Sequence, residues 1–490
     1  MPCRQLRLPA ATPAEVRQAL TGLREELGIA PEFPADVLAE AERAVADAEP
    51  LAADATDIPF VTIDPPGSRD LDQAVHIAPD GDGFLVRYAI ASLATFITPG
   101  GALDRAAHAR GVTVYGPAGS YPLHPPVLSA DAASLIEGQE RPACVWSLQV
   151  GPDGALRGAD VVRARVRSRA RLTYAQVQAA ADGGPALPAA APAELPALLS
   201  TVGRLRQECE RARGGVSLDI PEQEAVRRDH GYVLRFRSAL PAEGWNAQIS
   251  LMTGIAAARM MRAAGVGILR TLPAADPRDV ARLRRTARAL EIPWPAGTSY
   301  AELLRHLDSA VPAHAAFLSE ATTLFRGAGY LAFGAPDTVP AGDVAVGEAR
   351  HAAIGAEYAH VTAPLRRLVD RYGLEVCLAH CAGTPVPGWV RDALPALAGT
   401  MASTTRRANA FERGALDAVE ALVLAGRVGE RFAGVVVDLD GERTGRGTVV
   451  LREPAVRARV DGEPLPLGEP VAARLAEADV AARRVRFTLP

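Results

Sequence analysis

The hydrophobic periodicity of this chain changes three times, and those changes constrain its fold more than any other feature. Residues 12–48 repeat apolar side chains at helical spacing, whereas from Ile58 short runs such as FVTID and FLVRYAIA are typical of β-strands. The middle of the chain returns to helical spacing, and from Arg427 onwards short strands are broken by Gly and Pro. The pattern predicts an α+β protein in which helices wrap a mixed β-sheet and a small β-barrel follows.

We expect the chain to divide where the period changes. A helical lead-in takes residues 1–55, the main α+β domain takes residues 56–425, and a small C-terminal barrel takes residues 426–490. Within the main domain the motifs described below lie in residues 57–372, and a helical extension follows over residues 373–425. No internal repeat accompanies this division.

The lead-in is acidic, with ten Asp and Glu residues against five Arg in residues 1–55. Its two short helices either pack against the rest of the protein or form a small DNA-binding-like module. A net negative charge disfavours the second alternative, because a protein that reads the major groove has to neutralise phosphates. The charge therefore favours packing.

The composition excludes several classes of protein. No stretch approaches the ~18 uninterrupted apolar residues of a membrane-spanning helix, and the N-terminus lacks the basic-then-apolar layout of a signal peptide. The five cysteines are too few and too scattered for a disulfide framework. Cys377 and Cys381 lie four apart without a second ligand pair nearby, which favours a buried helix over a zinc site. We expect a cytoplasmic monomer with no membrane or disulfide partner.

Arginine supplies all 53 basic residues, because the sequence contains no lysine. The formal net charge of −4 carries no nucleic-acid signal for the chain as a whole. Locally, however, arginines occupy every other position from Arg163 to Arg171, so that like charges share one face of a predicted strand. Such a face repels itself unless it meets solvent or an anion. An exposed strand edge and a surface that faces a polyanion both remain open.

Three carboxylates are close in sequence around a predicted turn. Asp70 and Asp72 are two residues apart and point to the same side of an extended chain, and the turn after Asp64 can bring that residue back beside them. Three carboxylates in one small volume need exposure, protonation or cations, and an all-oxygen set suits Mg²⁺ or Mn²⁺. A solvated acidic turn and the metal–nucleotide site of a sugar-transfer enzyme are the alternatives.

Four motifs in order give the chain a resemblance to the RNase II-type exoribonucleases, whose catalytic domain is the RNB domain. The first, DIPFVTIDPPGSRDLDQAVHI, is similar to the family pattern of TID, five residues, and paired acidic residues before a β-hairpin. The second is LDRAAHARGVTVYGPAGSYPLHPPVLS. The third and fourth are LFRGAGYLAFG and YAHVTAPLRRLVDRYG. Four motifs in the family's order are far more specific than a lone D-x-D.

The resemblance implies a hydrolytic 3′-to-5′ exoribonuclease that acts processively on single-stranded RNA and releases nucleoside 5′-monophosphates. Its chemistry would be in-line attack of water on the last phosphodiester, with two Mg²⁺ or Mn²⁺ ions about 4 Å apart. The alternative is a catalytically weak or silent RNB-fold RNA-binding protein. The C-terminal barrel, residues 426–490, resembles the OB-type RNA-binding module that usually closes these enzymes. The family's N-terminal pair of cold-shock-type barrels has no counterpart in residues 1–55, so we expect the lead-in helices and the C-terminal barrel to form the RNA entrance.

The resemblance also assigns roles by motif position. Asp72 and Arg366 would be catalytic, and Arg366 would contact the scissile phosphate and offset charge in the transition state. Tyr115 would stack on RNA bases near the 3′ end. The metal would be held by Asp64, Asp70 and Asp72, with Gln73 as a further oxygen donor, and RNA would be contacted by Tyr115, Arg366, Arg367, His360 and Thr362.

The sequence departs from the family pattern at three places. Gln73 stands where the family usually has a fourth Asp, which predicts weaker Mg²⁺ affinity and a Mn²⁺ preference because an amide adds no charge. Gln248 lies in a helix where the family has paired glutamates, so the contacts to the terminal sugar are expected to differ. Leu218 replaces an aromatic that helps to clamp the last bases. Glu412 resembles the family's late glutamate and is a further candidate.

Overall fold

The computed structural model describes residues 14–49, 51–117, 119–216, 222–228, 231–237, 239–308, 311–440, 445–451 and 453–489. Leu218 lies outside these residues, so the expectation for its position stays a prediction.

The described helices lie in the lead-in and in the main domain. They are α1 (Ala14–Glu26), α2 (Ala35–Ala46), α3 (Ala102–Arg110), α4 (Tyr174–Ala181), α5 (Leu195–Ala212), α6 (Pro241–Ala264), α7 (Pro277–Ala289), α8 (Tyr300–Arg305), α9 (Pro312–Ala321), α10 (Val346–Ala349), α11 (Leu368–Ala382) and α12 (Gly388–Leu424).

The strands form two closed barrels and four two-stranded sheets. They are β1 (Phe60–Asp64), β2 (Gln73–Asp80), β3 (Gly83–Ala91), β4 (Val114–Gly116), β5 (Gly119–Tyr121), β6 (Glu140–Val150), β7 (Leu156–Thr173), β8 (Glu222–Arg228), β9 (Gly231–Arg237), β10 (Gly267–Thr271), β11 (Gly329–Phe333), β12 (Arg350–His351), β13 (Ala356–Glu357), β14 (Arg431–Leu439), β15 (Arg446–Leu451), β16 (Arg457–Asp461), β17 (Pro470–Asp479) and β18 (Arg484–Thr488).

The first barrel has the strand order β1-β2-β3-β6-β7 and closes through a parallel pairing of β1 with β7. One face of its strands carries large buried side chains, such as Tyr88 and Trp146, in the same hydrophobic cluster as residues of α6 and α11. The other face carries small residues, such as Ala74 and Ala89, in a separate buried cluster. The α+β class is therefore confirmed, and the expected mixed sheet is a closed barrel.

Among the alternating arginines of β7, Arg163, Arg165 and Arg167 form ion pairs within the protein, and Arg169 and Arg171 donate to backbone carbonyls. Arg165 contacts Asp54 at 2.8 Å and Glu140 at 3.0 Å, so it ties the end of the lead-in to the barrel. Arg163 pairs with the buried Glu375 of α11. Internal carboxylates therefore relieve the repulsion expected along this face, an arrangement that the strand pattern did not predict.

Both helices of the lead-in pack against the main domain. Leu23 of α1 is buried in one cluster with Phe411 of the long helix α12. On α2, the Glu40 carboxylate accepts hydrogen bonds from the backbone N–H groups of Ala102 (2.6 Å) and Leu103 (3.2 Å) at the start of α3. A carboxylate is favourable there because it satisfies unpaired N–H groups and the positive end of the helix dipole. The lead-in helices therefore pack against the main domain, which is the alternative that their negative charge favoured.

The helical extension predicted over residues 373–425 consists of most of α11 and α12. Helix α12 begins at Gly388 and continues through Pro395, although proline removes a backbone donor inside a helix. Buried side chains on both sides of the proline, Leu394 and Leu397, hold the helix against the first barrel's cluster. Tertiary packing therefore offsets the lost hydrogen bond.

The C-terminal strands form the second closed barrel, in the order β14-β15-β16-β18-β17. The small barrel predicted from the short strands is thereby confirmed. Val437 of β14 lies in one buried cluster with Leu283 of α7 and Phe317 of α9, so α7 to α9 join the barrel to the main domain. Within the described residues, no helix has both the length and the hydropathy needed to cross a membrane.

Candidate active site

The predicted carboxylates lie between the end of β1 and the start of β2. Asp64 is the last residue of β1, and a turn at Pro65–Ser68 reverses the chain, with the Ser68 hydroxyl donating to the Pro65 carbonyl at 2.9 Å. Gly67 in this turn has a φ of 79°, a conformation that favours glycine. The turn brings Asp70 close enough to Asp64 for their charges to interact. The sequence predicted that the turn gathers Asp64, Asp70 and Asp72; the structure brings Asp64 and Asp70 within electrostatic reach, and a site shared by all three stays a prediction.

Asp64 has an oxygen that no group in the described structure satisfies. Its Oδ2 is buried and has no hydrogen-bond partner. Burial and the nearby Asp70 carboxylate raise the pKa of Asp64 to about 7, and the guanidinium groups of Arg171 and Arg366 only partly oppose this shift. A buried carboxylate oxygen of this kind needs either a proton or a cation.

Asp70 is contacted by the tyrosine predicted to stack on RNA. The Tyr115 hydroxyl, at the centre of β4, donates to the Asp70 Oδ2 at 2.8 Å. Burial and the Asp70 charge raise the pKa of Tyr115 well above its ordinary value, so the phenol keeps its proton and acts as the donor. Whether the ring also stacks on bases stays a prediction.

Asp72 faces the segment that contains Arg366. It is 5% exposed, and its Oδ1 accepts the backbone N–H of Leu365 at 2.7 Å. Its Oδ2 lies 3.4 Å from the Arg366 Nε. Burial raises the pKa of Asp72 well above its ordinary range, while Arg366 and the Leu365 hydrogen bond oppose the shift. Both carboxylate oxygens of Asp72 therefore contact the Arg366 loop, defined here as residues 362–367.

The two arginines of this loop differ in their surroundings. The Arg366 side chain is 36% exposed and reaches the carboxylate region. Arg367 donates from Nε (3.0 Å) and from a terminal nitrogen (2.8 Å) to the Asp370 carboxylate, which is fully buried. Asp370 also accepts the Ala363 N–H at 2.7 Å. Arg367 thus joins the loop to α11, and its predicted contact with RNA is not tested by this geometry.

Two more predicted RNA contacts lie at the start of the fourth motif. The His360 ring nitrogen Nδ1 lies 2.8 Å from the Tyr330 hydroxyl, and burial lowers the pKa of His360 well below its ordinary value. Thr362 is 1% exposed, and its hydroxyl lies 2.8 Å from that of Ser250. Both side chains are held by protein partners in this structure. Their contact with RNA stays a prediction.

Helix α6 carries Gln248 and two further polar residues with partners near the site. Gln248 is 3% exposed and donates to the buried Glu210 of α5, and its contact with RNA stays a prediction. Ser250 contacts Thr362 at the Arg366 loop, and Asn246 donates to the Tyr174 hydroxyl at 3.3 Å. Asn246 and Ser250 are four residues apart and therefore share a helix face.

Glu412 lies half-buried on α12, next to Phe411. Phe411 packs edge-on against Tyr121 of β5, the partner strand of β4, with ring centroids 5.5 Å apart. The candidate is thus placed behind the hairpin that carries Tyr115. Its role stays a prediction.

The residues at the site fit one divalent cation. Within the described ranges, no three His, Cys, Asp or Glu side chains stand in an arrangement that could hold a metal ion. Asp64 and Asp70, however, supply oxygen donors of the kind that Mg²⁺ and Mn²⁺ prefer, and a cation is one of the two ways to satisfy the partnerless Oδ2 of Asp64, the other being a proton. Ligation by Asp72 and Gln73 as well stays a prediction.

Sequence reasoning missed several residues that the fold brings to this site. Asp370 stood inside the fourth motif, which could have drawn attention to it, because a carboxylate three residues after an arginine commonly pairs with it on a helix. The others carried no sequence signal, since their neighbours in space are far away in the chain. They are Tyr88, Tyr174, Asn246 and Ser250.

Comparison with known proteins gives two family matches. Residues 52–375 match the RNB domain, and residues 430–489 match the RNase II-type exonuclease C-terminal S1 domain. Ribonuclease R of Escherichia coli is 26% identical over 460 residues, which cover 89% of this chain and 52% of that protein. Exoribonuclease 2 of Vibrio cholerae is 38% identical over 135 residues, which cover 27% of this chain and 20% of the relative. The matched region is thus about half or less of these relatives.

Solved structures with the same fold include an RNase R and a protein described as a pseudonuclease. RNase R of Mycoplasma genitalium superposes with a TM-score of 0.85 at 20% identity, covering 98% of this chain and 79% of its own. The same protein has been solved in complex with ribose-methylated single-stranded RNA. Yeast Ssd1, described as a pseudonuclease, has a TM-score of 0.68 at 14% identity and covers 96% of this chain and 57% of its own. At these identities the likeness concerns the fold alone.

Proposed function

This chain belongs to the RNB-domain family of RNase II-type exoribonucleases, and on that premise we propose that it degrades single-stranded RNA hydrolytically from the 3′ end. The products would be nucleoside 5′-monophosphates, released processively. The protein would act as a cytoplasmic monomer.

One observation carries the proposal. The buried, partnerless Oδ2 of Asp64 lies in a pair of interacting carboxylates, and Arg366 is near enough to affect the same carboxyl electrostatically. A buried acidic pair next to an arginine is the arrangement expected where a metal and a phosphate bind together. A solvated acidic turn would not bury such an oxygen.

The chain's own residues would divide the work as follows. Asp64 and Asp70 would hold the cation, and Tyr115 would orient Asp70 through the hydrogen bond it donates. Arg366 would bind the scissile phosphate, and Asp72 would orient Arg366 through the 3.4 Å contact with Nε. A bound Mg²⁺ or Mn²⁺ supplies Lewis acidity that activates water and neutralises developing charge.

A catalytically weak or silent RNA-binding protein is the second candidate. The observation that favours it is the departure at Gln73, whose amide already has two protein partners: Tyr88 donates to Oε1 and Nε2 donates to the Thr362 carbonyl. The acidic set is therefore smaller than the family pattern. The pseudonuclease Ssd1 has the same fold.

The decisive experiment incubates a 5′-labelled single-stranded RNA with the protein in Mg²⁺, Mn²⁺ or EDTA. A 3′-to-5′ exonuclease converts the label to a short 5′ end product and releases mononucleotides only when metal is present. Asp64→Asn should abolish this shortening. The exposed Asp82, which pairs with Arg157 at 2.8 Å on the surface, supplies the matched control Asp82→Asn, which should behave as the wild type.

Retarded but intact RNA under every metal condition would contradict the nuclease and favour the silent binder. Cleavage that persists in EDTA would contradict the metal role of Asp64 and Asp70. A DNA oligonucleotide of the same sequence tests the preference for RNA, which should rest on contacts to the 2′-hydroxyl.

A further inference from the structure

The side-chain amide of Gln73 forms hydrogen bonds within the protein through both its nitrogen and its oxygen. It is the first residue of β2, and its Nε2 donates to the Thr362 carbonyl at 2.6 Å. Its Oε1 accepts from the Tyr88 hydroxyl at 2.5 Å. Tyr88 lies diagonally opposite on β3, because Gln73 pairs with Ile90 and Val75 pairs with Tyr88. The amide therefore links the first barrel to the loop that carries Arg366.

The orientation of this amide is set by its partners. A backbone carbonyl accepts but never donates, so the NH₂ group must face Thr362 and the oxygen must face Tyr88. Burial and the neighbouring carboxylates raise the pKa of Tyr88 well above its ordinary value, so the phenol keeps the proton that it donates. Both hydrogen bonds are therefore satisfied in one orientation only.

The Arg366 loop is held along its backbone by hydrogen bonds from four other residues. Gln73 donates to the Thr362 carbonyl, and Asp72 accepts the Leu365 N–H. Asp370 takes the Ala363 N–H, and the backbone N–H of Thr113 donates to the Arg366 carbonyl at 3.0 Å. Two adjacent residues, Asp72 and Gln73, thus form hydrogen bonds to the two ends of the turn that precedes Arg366.

We propose that Gln73 is a positioning residue, which fixes the Arg366 loop against the carboxylates through its NH₂ donor and is not a metal ligand. The inference rests on the proposed function, since it assigns how the phosphate-binding arginine is placed. It also explains why a glutamine is suitable at a position where the acidic motif would otherwise continue.

A carboxylate at position 73 could not make this link. Asp and Glu accept hydrogen bonds when ionised and have no donor, so either would place negative oxygens against the Thr362 carbonyl. An unpaired carbonyl and a buried charge both destabilise the loop conformation. Because the Gln73 amide makes these two hydrogen bonds, Asp64 and Asp70 would bind the cation without it.

The first arm of the test measures RNA affinity in EDTA, where no cleavage occurs, by fluorescence anisotropy with a labelled single-stranded RNA. Gln73→Glu keeps the acceptor for Tyr88 and removes the donor to Thr362, so it should weaken binding by on the order of tenfold. Arg366→Ala should weaken binding by a similar or larger factor. The double variant should bind no more weakly than Arg366→Ala alone, because Gln73 acts through Arg366.

The controls separate positioning from general damage to the fold. Gln139 is exposed in the loop before β6, so Gln139→Glu adds the same charge elsewhere and should leave affinity unchanged. Tyr88→Phe removes only the hydrogen bond to Oε1 and should weaken binding less than Gln73→Glu. Thermal unfolding of each variant is compared with the wild type, and if Gln73→Glu does not fold, the cycle is run with Tyr88→Phe, whose smaller effect should also disappear in the Arg366→Ala background.

The second arm measures Mn²⁺ affinity by electron paramagnetic resonance without RNA. Gln73→Met removes the carbonyl oxygen and should leave Mn²⁺ affinity unchanged, whereas Asp64→Asn should lower it by about tenfold or more. An equal loss in both variants would show that Gln73 is a ligand and would overturn the inference.

The remaining outcomes distinguish this inference from the proposed function. Additive effects of Gln73→Glu and Arg366→Ala on RNA affinity would overturn the inference and leave the nuclease proposal intact. A wild-type protein that does not bind RNA, or whose RNA affinity does not change in Arg366→Ala, would overturn both. Non-additive effects together with unchanged Mn²⁺ affinity in Gln73→Met would support the inference even if the protein proved to be a silent RNA binder.

Discussion

The Oδ2 of Asp72 lies 3.4 Å from the Nε of Arg366, and the Oδ1 of the same carboxylate accepts the N–H of Leu365 at 2.7 Å. One buried side chain in the first acidic motif therefore orders both the backbone and the side chain of the fourth motif. The two motifs are distant in sequence and act as one site.

Replacing Asp72 by Asn should lower the rate of metal-dependent RNA shortening by about 10- to 100-fold. The amide oxygen still accepts the Leu365 N–H, but the negative charge opposite Arg366 is lost. The rate is measured with the 5′-labelled RNA under single-turnover conditions. Asp131→Asn, at an exposed pair with Arg141, is the control, and equal rates in Asp72→Asn and the wild type would contradict the positioning of Arg366 by Asp72.

Tyr115→Phe and Tyr115→Ala should have different effects on RNA affinity in EDTA. Phenylalanine keeps the ring and loses only the hydrogen bond to Asp70, so we expect little change. Alanine also removes the stacking surface and should weaken binding by about tenfold, since a stacked base contributes on the order of 1–3 kcal/mol. If both variants bind as the wild type does, the ring does not stack on RNA.

The contact between α9 and the C-terminal barrel should depend on pH. Burial and the neighbouring Asp438 of β14 raise the pKa of Glu320 to about 7 from an ordinary value of 4.5, while Arg282 of α7 opposes the shift. Because the folded-state pKa is raised, this group's stabilising contribution is present in acid and is lost as the pH rises from about 4.5 to about 7. The wild type should therefore lose stability over this window.

Glu320→Gln isolates that effect. The amide cannot ionise, so the variant's melting temperature should fall less than that of the wild type between pH 5 and pH 8, as followed by circular dichroism. The exposed Glu348 provides the control Glu348→Gln, which should keep the wild-type profile. Parallel profiles for Glu320→Gln and the wild type would show that Glu320 does not carry the pH dependence.

Glu40→Ala should lower the free energy of unfolding by about 1 kcal/mol, because it removes a carboxylate that caps the start of α3 through Ala102 and Leu103. Urea unfolding at neutral pH measures the change. Glu42→Ala, on an exposed position of the same helix, should have a smaller effect. An equal decrease in the free energy of unfolding for Glu40→Ala and Glu42→Ala would mean that the cap makes no measurable contribution to stability.

Much of the fold could be predicted because local patterns are periodic. The helical lead-in, the β-hairpin after the acidic motif and the C-terminal barrel follow from the alternation of apolar and polar residues. The acidic motif could also be recognised, since a turn at Pro65–Ser68 is encoded by the residues within it. The site residues on α6 could not, because a single helix face is selected only by what packs against it: Gln248 faces Glu210, and Ser250 faces Thr362.

The amino-acid sequence by itself determined the family, the helical lead-in, the first β-hairpin, the C-terminal barrel, and the placing of Asp64 and Asp70 around one turn. Only the tertiary structure decided that Asp72 and Gln73 would face the Arg366 loop and that the arginines of β7 would meet internal carboxylates. The physical reason is distance along the chain. A turn or a strand depends on neighbours a few residues away, whereas hydrogen bonds between residues hundreds of positions apart exist only after the barrel has closed and placed β2 against the start of α11.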